Sequence, residues 1–110
     1  MKIVAAADHG GFEMKNQIVE DLRKQGFAVE DLGTNSADSV DYPDFAEKAT
    51  AKVLAGQADL GILVCGTGIG ISIAANRQKG IRAAILYDDY VAKVAREHNS
   101  AIVLCFGGRT

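Results

Sequence analysis

Short apolar runs alternate along this sequence with segments in which apolar residues recur every three or four positions. The runs at 3–7, 27–32, 60–65, 81–87 and 101–106 predict five β-strands. The segments between them end near Gly26, Gly56, Gly80 and the pair His98-Asn99, residues that are typical of helix C-termini. A βαβαβαβαβ order predicts an α/β fold, in which helices cover both faces of a parallel sheet.

Helical spacing identifies the positions that define the four predicted helices. In chain order they are Met14, Ile18 and Leu22; Phe45, Ala49 and Val53; Ile69, Ile73 and Asn76; and Val91, Val94 and Ala95. Asp41 and Pro43 favour a helix start there, because aspartate caps a helix and proline presets the backbone of its first turn.

The order of the strands in the sheet follows from the handedness of the crossovers. Right-handed connections place a helix on one face when the chain moves one way across the sheet, and on the other face when it reverses. The order 2-1-3-5-4 puts two helices on each face of a three-layer, Rossmann-like α/β/α structure, and we prefer it. The order 2-1-3-4-5, with one helix against three, stays as an alternative. Both orders place a ligand crevice where the loops after strands 1 and 3 diverge.

Size and charge limit the number of domains and the kind of partner. The chain has 110 residues, so we expect one domain over 1–110. A composition of 48% apolar and 24% charged residues is typical of globular proteins and excludes disorder. Twelve Lys and Arg against fourteen Asp and Glu give a net charge of −2 with no basic run. This argues against nucleic acid or an anionic membrane and favours a small-molecule partner.

The apolar stretches and the cysteines indicate the cellular compartment and the thiol chemistry that is possible. Charged or polar residues interrupt every apolar stretch well before the roughly 18 residues that span a bilayer, and residues 1–7 are too short for a signal-peptide core. We therefore expect a cytoplasmic protein. Cys65 and Cys105 form neither a disulfide framework nor a zinc set, so any thiol chemistry belongs to one of them alone.

Two loops whose residues could bind a ligand or take part in catalysis lie at the predicted crevice. Asp8-His9-Gly10-Gly11 follows strand 1, and Cys65-Gly66-Thr67-Gly68-Ile69-Gly70 follows strand 3. Glycines let the backbone approach a ligand, and the helix that begins among them offers N–H groups to an anion. A tight turn without a ligand is the plain alternative. A dinucleotide site fits poorly, because its third glycine would fall at position 71, which is Ile71.

Cys65 is the candidate base, because it ends a buried strand at a helix N-terminus, where the helix dipole favours a thiolate. A small core residue is the competing interpretation for Cys65 and the preferred one for Cys105. His98 and Asn99 can be explained as a helix C-terminal pair, His9 as a turn residue and Arg109 as a solvated terminal residue.

Taken together, the motifs resemble the RpiB/LacAB family of sugar-phosphate isomerases along the whole chain. They are Ala7-Asp8-His9-Gly10-Gly11, Asp31-Leu32-Gly33-Thr34, Asp41-Tyr42-Pro43, Cys65-Gly66-Thr67-Gly68-Ile69-Gly70-Ile71-Ser72, Ala74-Ala75-Asn76, Gly80-Ile81-Arg82, His98-Asn99 and Phe106-Gly107-Gly108-Arg109. The resemblance implies an isomerase without metal or cofactor that interconverts aldose and ketose phosphates, ribose 5-phosphate with ribulose 5-phosphate in the type member. It also implies a homodimer or homotetramer with active sites shared between subunits.

The resemblance assigns roles to particular residues. Cys65 is the base that moves a proton from C2 to C1, and His98 is the acid or base at the ring oxygen. The loop backbone at Gly66, Gly68, Ile69 and Gly70 holds the enediolate oxygen. Thr67 belongs to the catalytic group with Cys65 and His98, and it helps Asp8 to place the sugar. Further substrate contacts come from Asn99, which adds a hydrogen bond, from His9 and Arg109, which contact phosphate, and from Tyr42, which lines the rim. His98, Asn99 and Arg109 are candidates to come from the neighbouring subunit.

Members of the family continue past the position of Thr110 with a helical segment that carries further phosphate-binding arginines, and we expect the domain over 1–110 to lack it. Three alternatives stay open at this point. The substrate could be a hexose 6-phosphate of the allose or galactose type. The domain could bind sugar phosphates without converting them, or the glycine loop could bind a nucleotide.

Overall fold

A computed structural model describes residues 1–34, 42–98 and 100–110. Strands and helices alternate throughout the described chain. The elements are β1 Lys2–Ala7, α1 Phe12–Lys24, β2 Ala28–Asp31, α2 Tyr42–Leu54, β3 Leu60–Cys65, α3 Ile69–Asn76, β4 Ala83–Ile85, α4 Asp89–Glu97 and β5 Val103–Gly107. The predicted capping residue Asp41 lies outside the described residues, and α2 begins immediately after it.

The five strands form one parallel sheet in the order β2-β1-β3-β5-β4, which confirms the predicted topology. The chain crosses from β2 over β1 to β3, and from β3 over β5 to β4, before it turns back to β5. Each change of direction moves the next helix to the other face of the sheet, because the crossovers are right-handed. The structure is the expected three-layer α/β/α arrangement.

Each face of the sheet carries its own apolar cluster. On one face, α2 and α3 pack beside each other over a cluster that includes Ala49, Leu63 and Ile71. On the other face, Val19 of α1 packs over Ile3 and Val64, among others. Leu63, Val64 and Ile71 are completely buried. The sheet is therefore covered on both sides, which explains why β1 and β3 read as unbroken apolar runs.

The structure corrects two details of the sequence interpretation. The strand predicted at 81–87 is confined to Ala83–Ile85, because the hydrogen bond from Ile81 N to Gln78 O still belongs to the turn and Tyr87 is exposed. The helical spacing of Ile69 and Ile73 does not mark the buried side of α3. Both side chains are about half exposed, and α3 buries Ile71, Ala74 and Ala75 instead.

The shortness of α3 explains the second error. Its eight residues are almost all apolar, so the sequence offers no polar side by which to orient the helix. By contrast, α4 has a clear polar side and a capping aspartate, since Asp88 Oδ1 accepts a hydrogen bond from Val91 N over 2.8 Å. Among the described helices, none combines the length and apolarity needed to cross a membrane.

Candidate active site

The loops after β1, β3 and β5 meet at the carboxyl edge of the sheet. The backbone of the β5 loop pairs with that of the β3 loop: Gly108 N donates to Cys65 O over 2.7 Å, and Arg109 N donates to Gly66 O over 2.9 Å. The β1 loop is joined on the other side, where Asp8 N donates to Val64 O over 3.2 Å. This is the crevice expected at the switch point of a doubly wound sheet.

Two glycines allow these loops to pack so closely. An added Cβ on Gly108 would lie 2.7 Å from Gly10 O, so any side chain there would push the β5 and β1 loops apart. Gly68 has a φ of 82°, a left-handed conformation that side chains disfavour, and it caps α3. The two glycines therefore determine how closely the β5 and β1 loops pack and how α3 begins.

Cys65 ends β3 with its side chain turned toward the glycine loop. Gly68 N donates a hydrogen bond to Cys65 Sγ over 3.1 Å. The residue is 5% exposed and packs within the cluster that contains Ile71. Neighbouring cavities are lined by Thr67 and by His9. The thiol thus lies directly beneath the loop, in contact with one of its N–H groups.

The second cysteine, Cys105, is a buried residue of β5, as the sequence interpretation favoured. Burial, and to a smaller extent the neighbouring Cys65, raise the pKa of its thiol to about 12. Such a thiol stays protonated through the physiological range. Cys105 therefore acts as a small apolar core residue.

The N–H groups of the glycine loop are already partly used. Besides the Gly68 N–H on sulfur, Ile69 N donates to Thr67 Oγ1 over 3.1 Å. The first hydrogen bond within α3 is from Ser72 N to Gly68 O, so the N–H groups of Gly70 and Ile71 have no partner inside the helix. These two groups point out of the N-terminus of α3, where a negatively charged oxygen is favoured.

Asp8 lies at the centre of the β1 loop and is 6% exposed. Its Oδ1 accepts a hydrogen bond from Gly10 N over 2.8 Å, and its carbonyl accepts one from Gly11 N over 3.1 Å. The carboxylate thus closes the turn that leads into α1. The hydrogen bond from the backbone N–H of Asp8 to Val64 O holds the residue beside the end of β3.

His9 and Arg109, the two predicted phosphate contacts, line one cleft of about 240 Å³. Gly108 and the first residues of α1 complete its walls, and Glu13 adds a carboxylate at the helix start. The loop that carries Arg109 is held against Gly66 of the same chain. The structure therefore brings Arg109 to the cleft of its own subunit, although the resemblance also allowed it to come from a neighbour.

His98 does not lie near Cys65 within one chain. It follows the last turn of α4, where His98 N donates to Val94 O, and α4 ends just before β5 begins. In the register of β3 with β5, Gly61 faces Val103 at that end and Cys65 faces Gly107 at the other. Four residues of strand separate the two edges, which is about 13 Å along the sheet. His98 is exposed at the amino edge.

Two further predicted contacts are not tested by the geometry. Asn99 lies outside the described residues, and for Tyr42 the structure describes the backbone, which begins α2. Within the described ranges, no three His, Cys, Asp or Glu side chains come together as a metal site would require.

A buried ion pair beside the crevice escaped the sequence interpretation. Lys15 Nζ lies 2.7 Å from both carboxylate oxygens of Asp31, and Lys15 is completely buried. The sequence did carry a signal for it. Lys15 precedes Ile18 by three positions and Val19 by four, so it lies on the helix side that faces the sheet. A lysine in such a place calls for a buried partner.

Comparison with known proteins places this geometry in a family. The profile described as Ribose/Galactose Isomerase matches residues 3–110. Ribose-5-phosphate isomerase B of Escherichia coli is 47% identical over 108 residues, which cover 98% of this chain and 72% of that protein. The match therefore includes all three crevice loops.

Solved structures agree with the sequence relatives. A ribose 5-phosphate isomerase from Thermotoga maritima superposes with a TM-score of 0.96 and 51% identity, covering 98% of this chain and 74% of that one. Ribose-5-Phosphate Isomerase B from Clostridium thermocellum superposes with a TM-score of 0.98 and 50% identity, covering 99% and 74%. At this identity the likeness extends beyond the fold to the loops.

Proposed function

This chain belongs to the ribose/galactose isomerase family, and from that membership we propose that it interconverts ribose 5-phosphate and ribulose 5-phosphate through an enediolate, with Cys65 as the base. It is an aldose–ketose isomerase of the ribose-5-phosphate type B. The reaction needs a base, donors for the enediolate oxygen, a site for the phosphate and a group that opens the sugar ring.

The hydrogen bond from Gly68 N to Cys65 Sγ is the observation that carries the proposal. It places the sulfur at the start of α3, beside the loop N–H groups that can hold an oxyanion, so one bound sugar can reach the base and the donors together. Cys65 removes the proton from C2 of the open aldose and returns it to C1. Because the thiol is 5% exposed, sugar binding has to shift part of the loop that covers it.

The N-terminus of α3 supplies the donors for the enediolate oxygen. The N–H groups of Gly70 and Ile71 are free of helix partners and aim at the same loop that covers Cys65. Each well-placed donor contributes about 10²–10³ in turnover, comparable to the contribution of the base. Thr67 and Asp8 then orient the sugar between the two loops.

The cleft lined by His9 and Arg109 is the phosphate site in this proposal. Arg109 supplies a permanent positive charge, and the start of α1 adds the positive end of a helix dipole. Glu13 lies at the same helix start, so the phosphate approaches from the side of Arg109. Binding energy from this remote group supports the chemical step as well as affinity.

A second copy of the chain completes the site. His98 is at the opposite edge of the sheet from Cys65, so a histidine that opens the ring beside Cys65 has to come from a neighbour. Ile69 and Ile73 are about half exposed on α3, next to the glycine loop, and give a partner an apolar surface. We expect a homodimer or homotetramer with shared sites, as a twofold interface would create.

Isotope exchange tests the proposal. The protein is incubated with ribose 5-phosphate in deuterated water, and the ribulose 5-phosphate formed is analysed for deuterium at C1. Solvent deuterium at C1 is expected for transfer through an enediolate. The Cys65→Ser protein should lose most of this exchange, whereas Cys105→Ala, the matched control on the neighbouring strand, should keep it.

Isotope exchange, together with calorimetry, separates the competing functions. Exchange with allose 6-phosphate but not with ribose 5-phosphate would assign a hexose substrate to the same mechanism. Binding of ribose 5-phosphate by calorimetry without any exchange would show a non-catalytic binding domain. Unchanged turnover of Cys65→Ser would remove the thiol from the mechanism.

A further inference from the structure

The buried ion pair between Lys15 and Asp31 joins the first turns of α1 to the end of β2. Both carboxylate oxygens of Asp31 lie 2.7 Å from Lys15 Nζ. The side chain of Lys15 is completely buried and that of Asp31 is 20% exposed. The other side-chain ion pairs of the described chain, Lys24–Glu20 and Lys52–Glu30, join more exposed groups over 3.2 Å.

Stability alone does not account for a pair in this position. Removing two charges from water is costly, and apolar residues of similar size in place of a buried ion pair are often neutral or stabilising. What a bidentate, buried pair provides is a fixed distance and orientation between two elements. The elements fixed here are the helix that follows the β1 loop and the strand whose end faces that loop.

Asp31 is also the anchor of a short backbone ladder that ends at the crevice. Its Oδ1 accepts a hydrogen bond from Gly33 N over 2.9 Å. Gly33 O in turn accepts from Ala7 N over 2.7 Å, and Thr34 N donates to Ala7 O over 2.8 Å. Ala7 is the last residue of β1, directly before Asp8. The position of Asp31 is thereby transmitted to the residue next to Asp8.

The β1 loop is consequently held at both of its ends through Asp31. At its start, Asp31 holds Ala7 through the ladder. At its end, Lys15 is bound to Asp31 and its own N–H donates to Gly11 O over 2.9 Å. We infer that Lys15, through its ion pair with Asp31, is a positioning residue that sets the place of Asp8 and His9 in the crevice.

This inference rests on the proposed isomerase function, in which Asp8 and His9 contact the sugar phosphate. The informative variant is the double substitution Lys15→Met with Asp31→Asn. It removes both charges, while the asparagine keeps an oxygen that can accept from Gly33 N. Lys15→Arg is the second variant. It retains the charge but places a wider, planar group against Asp31.

Two measurements are made on each variant. The first is the amide resonance of Gly10 in ¹⁵N-labelled protein, because Gly10 N donates to Asp8 Oδ1 and reports the position of that carboxylate. The second is the separate determination of kcat and KM for ribose 5-phosphate, together with the melting temperature. The matched control is Lys52→Met with Glu30→Gln, which removes a more exposed pair that joins α2 to the same strand, β2.

We expect both Lys15 variants to shift the Gly10 resonance and to lower kcat/KM by about 10- to 100-fold, as small misplacements in an active site do. Their melting temperatures should stay within a few degrees of the parent, and the control should change neither the resonance nor the kinetics. An unmoved Gly10 resonance with parental kcat/KM in either folded variant would overturn the inference.

The outcome is separable from that of the proposed function. If the parent protein fails to convert ribose 5-phosphate, the proposed function is wrong. The Gly10 resonance still decides whether Lys15 holds Asp8 in place. If the double variant does not fold, Lys15→Arg carries the decision alone, since it keeps a positive charge in the core but changes the geometry at Asp31.

Discussion

The N–H of Gly68 donates a hydrogen bond to Cys65 Sγ over 3.1 Å, across the turn that joins β3 to α3. This contact ties the candidate base to the backbone of the loop that covers it. Gly68 adopts a left-handed φ of 82°, and in this conformation its N–H faces the sulfur. The conformation of Gly68 therefore determines the contact that the thiol makes with the loop.

Substitution of Cys65 by serine should reduce kcat by about 10²–10⁴, the usual contribution of a general base. Serine has a similar size, but its hydroxyl is far less acidic than a thiol. Steady-state kinetics with ribose 5-phosphate give the ratio. Cys105→Ala should retain kcat within about threefold, because a buried thiol that stays protonated takes no part in proton transfer. Equal losses in the two variants would contradict the assignment.

The alkaline stability of the protein should depend on Cys105. Burial raises the pKa of this thiol from 9.0 to about 12, so its stabilising contribution is complete below pH 9 and is lost as the pH rises through about 12. In that window the unfolded chain has released the proton that the folded chain retains. The free energy of unfolding should therefore fall by up to about 1.4 kcal/mol per pH unit from this group.

Urea unfolding of the parent and of Cys105→Ala across this pH range isolates the contribution, since every other titrating group is common to both proteins. The parent should lose stability more steeply than the variant above pH 9. Parallel curves would show that the thiol ionises with its ordinary pKa in the folded protein.

Replacing Gly108 by alanine should lower kcat/KM by about tenfold or more while the protein remains folded. The new methyl group would lie 2.7 Å from Gly10 O and force the β5 and β1 loops apart. Gly61→Ala is the matched control, since its added Cβ would make an ordinary contact of 3.4 Å with Val103. Circular dichroism and kinetics on both variants check the prediction, which fails if the two behave alike.

Arg109→Met should weaken inhibition by inorganic phosphate by about 10- to 100-fold, the range expected for loss of a charge-assisted hydrogen bond. The residue lines the cleft with His9, and its removal leaves a helix start and a histidine to bind the anion. The inhibition constant of phosphate is measured against ribose 5-phosphate. Arg77→Met, an exposed arginine after α3, serves as the control and should leave the constant unchanged.

Mixing two inactive variants should restore activity if the sites are shared between subunits. An equal mixture of Cys65→Ser and His98→Ala chains, unfolded and refolded together, gives mixed dimers with one intact site. The expected activity is about a quarter of the parent for random pairing in a twofold dimer. Activity no greater than the sum of the two separate variants would contradict a site shared between subunits.

Much of the fold was predictable because the handedness of βαβ crossovers leaves few ways to order five parallel strands. The convergence of Asp8 and Cys65 at one edge followed from the same rule. Which side of α3 is buried did not follow, because the helix lacks a polar side. The pairing of Arg109 with Gly66 was also beyond the sequence, since it depends on the register of β5 against β3.

The position of His98 relative to Cys65 was not predictable from the motifs alone. A sequence motif places His98 among functional residues, but the topology puts it at the other edge of the sheet from Cys65. The Lys15–Asp31 pair is different: a lysine on the core-facing side of α1 was visible in the sequence, and only its partner was not.

Among the strands that the structure describes, the one that carries Asp31 lies at the border of the sheet, with β1 as its single neighbour. Border strands open by local fluctuation more readily than the interior does. If β2 detaches briefly, Lys15 loses its anchor and the turn beside Asp8 loosens, although β1, β3 and β5 remain paired. On warming, this protein should therefore stop turning over substrate several degrees before its core melts, and amide protons of β2 should exchange with solvent ahead of those of β3.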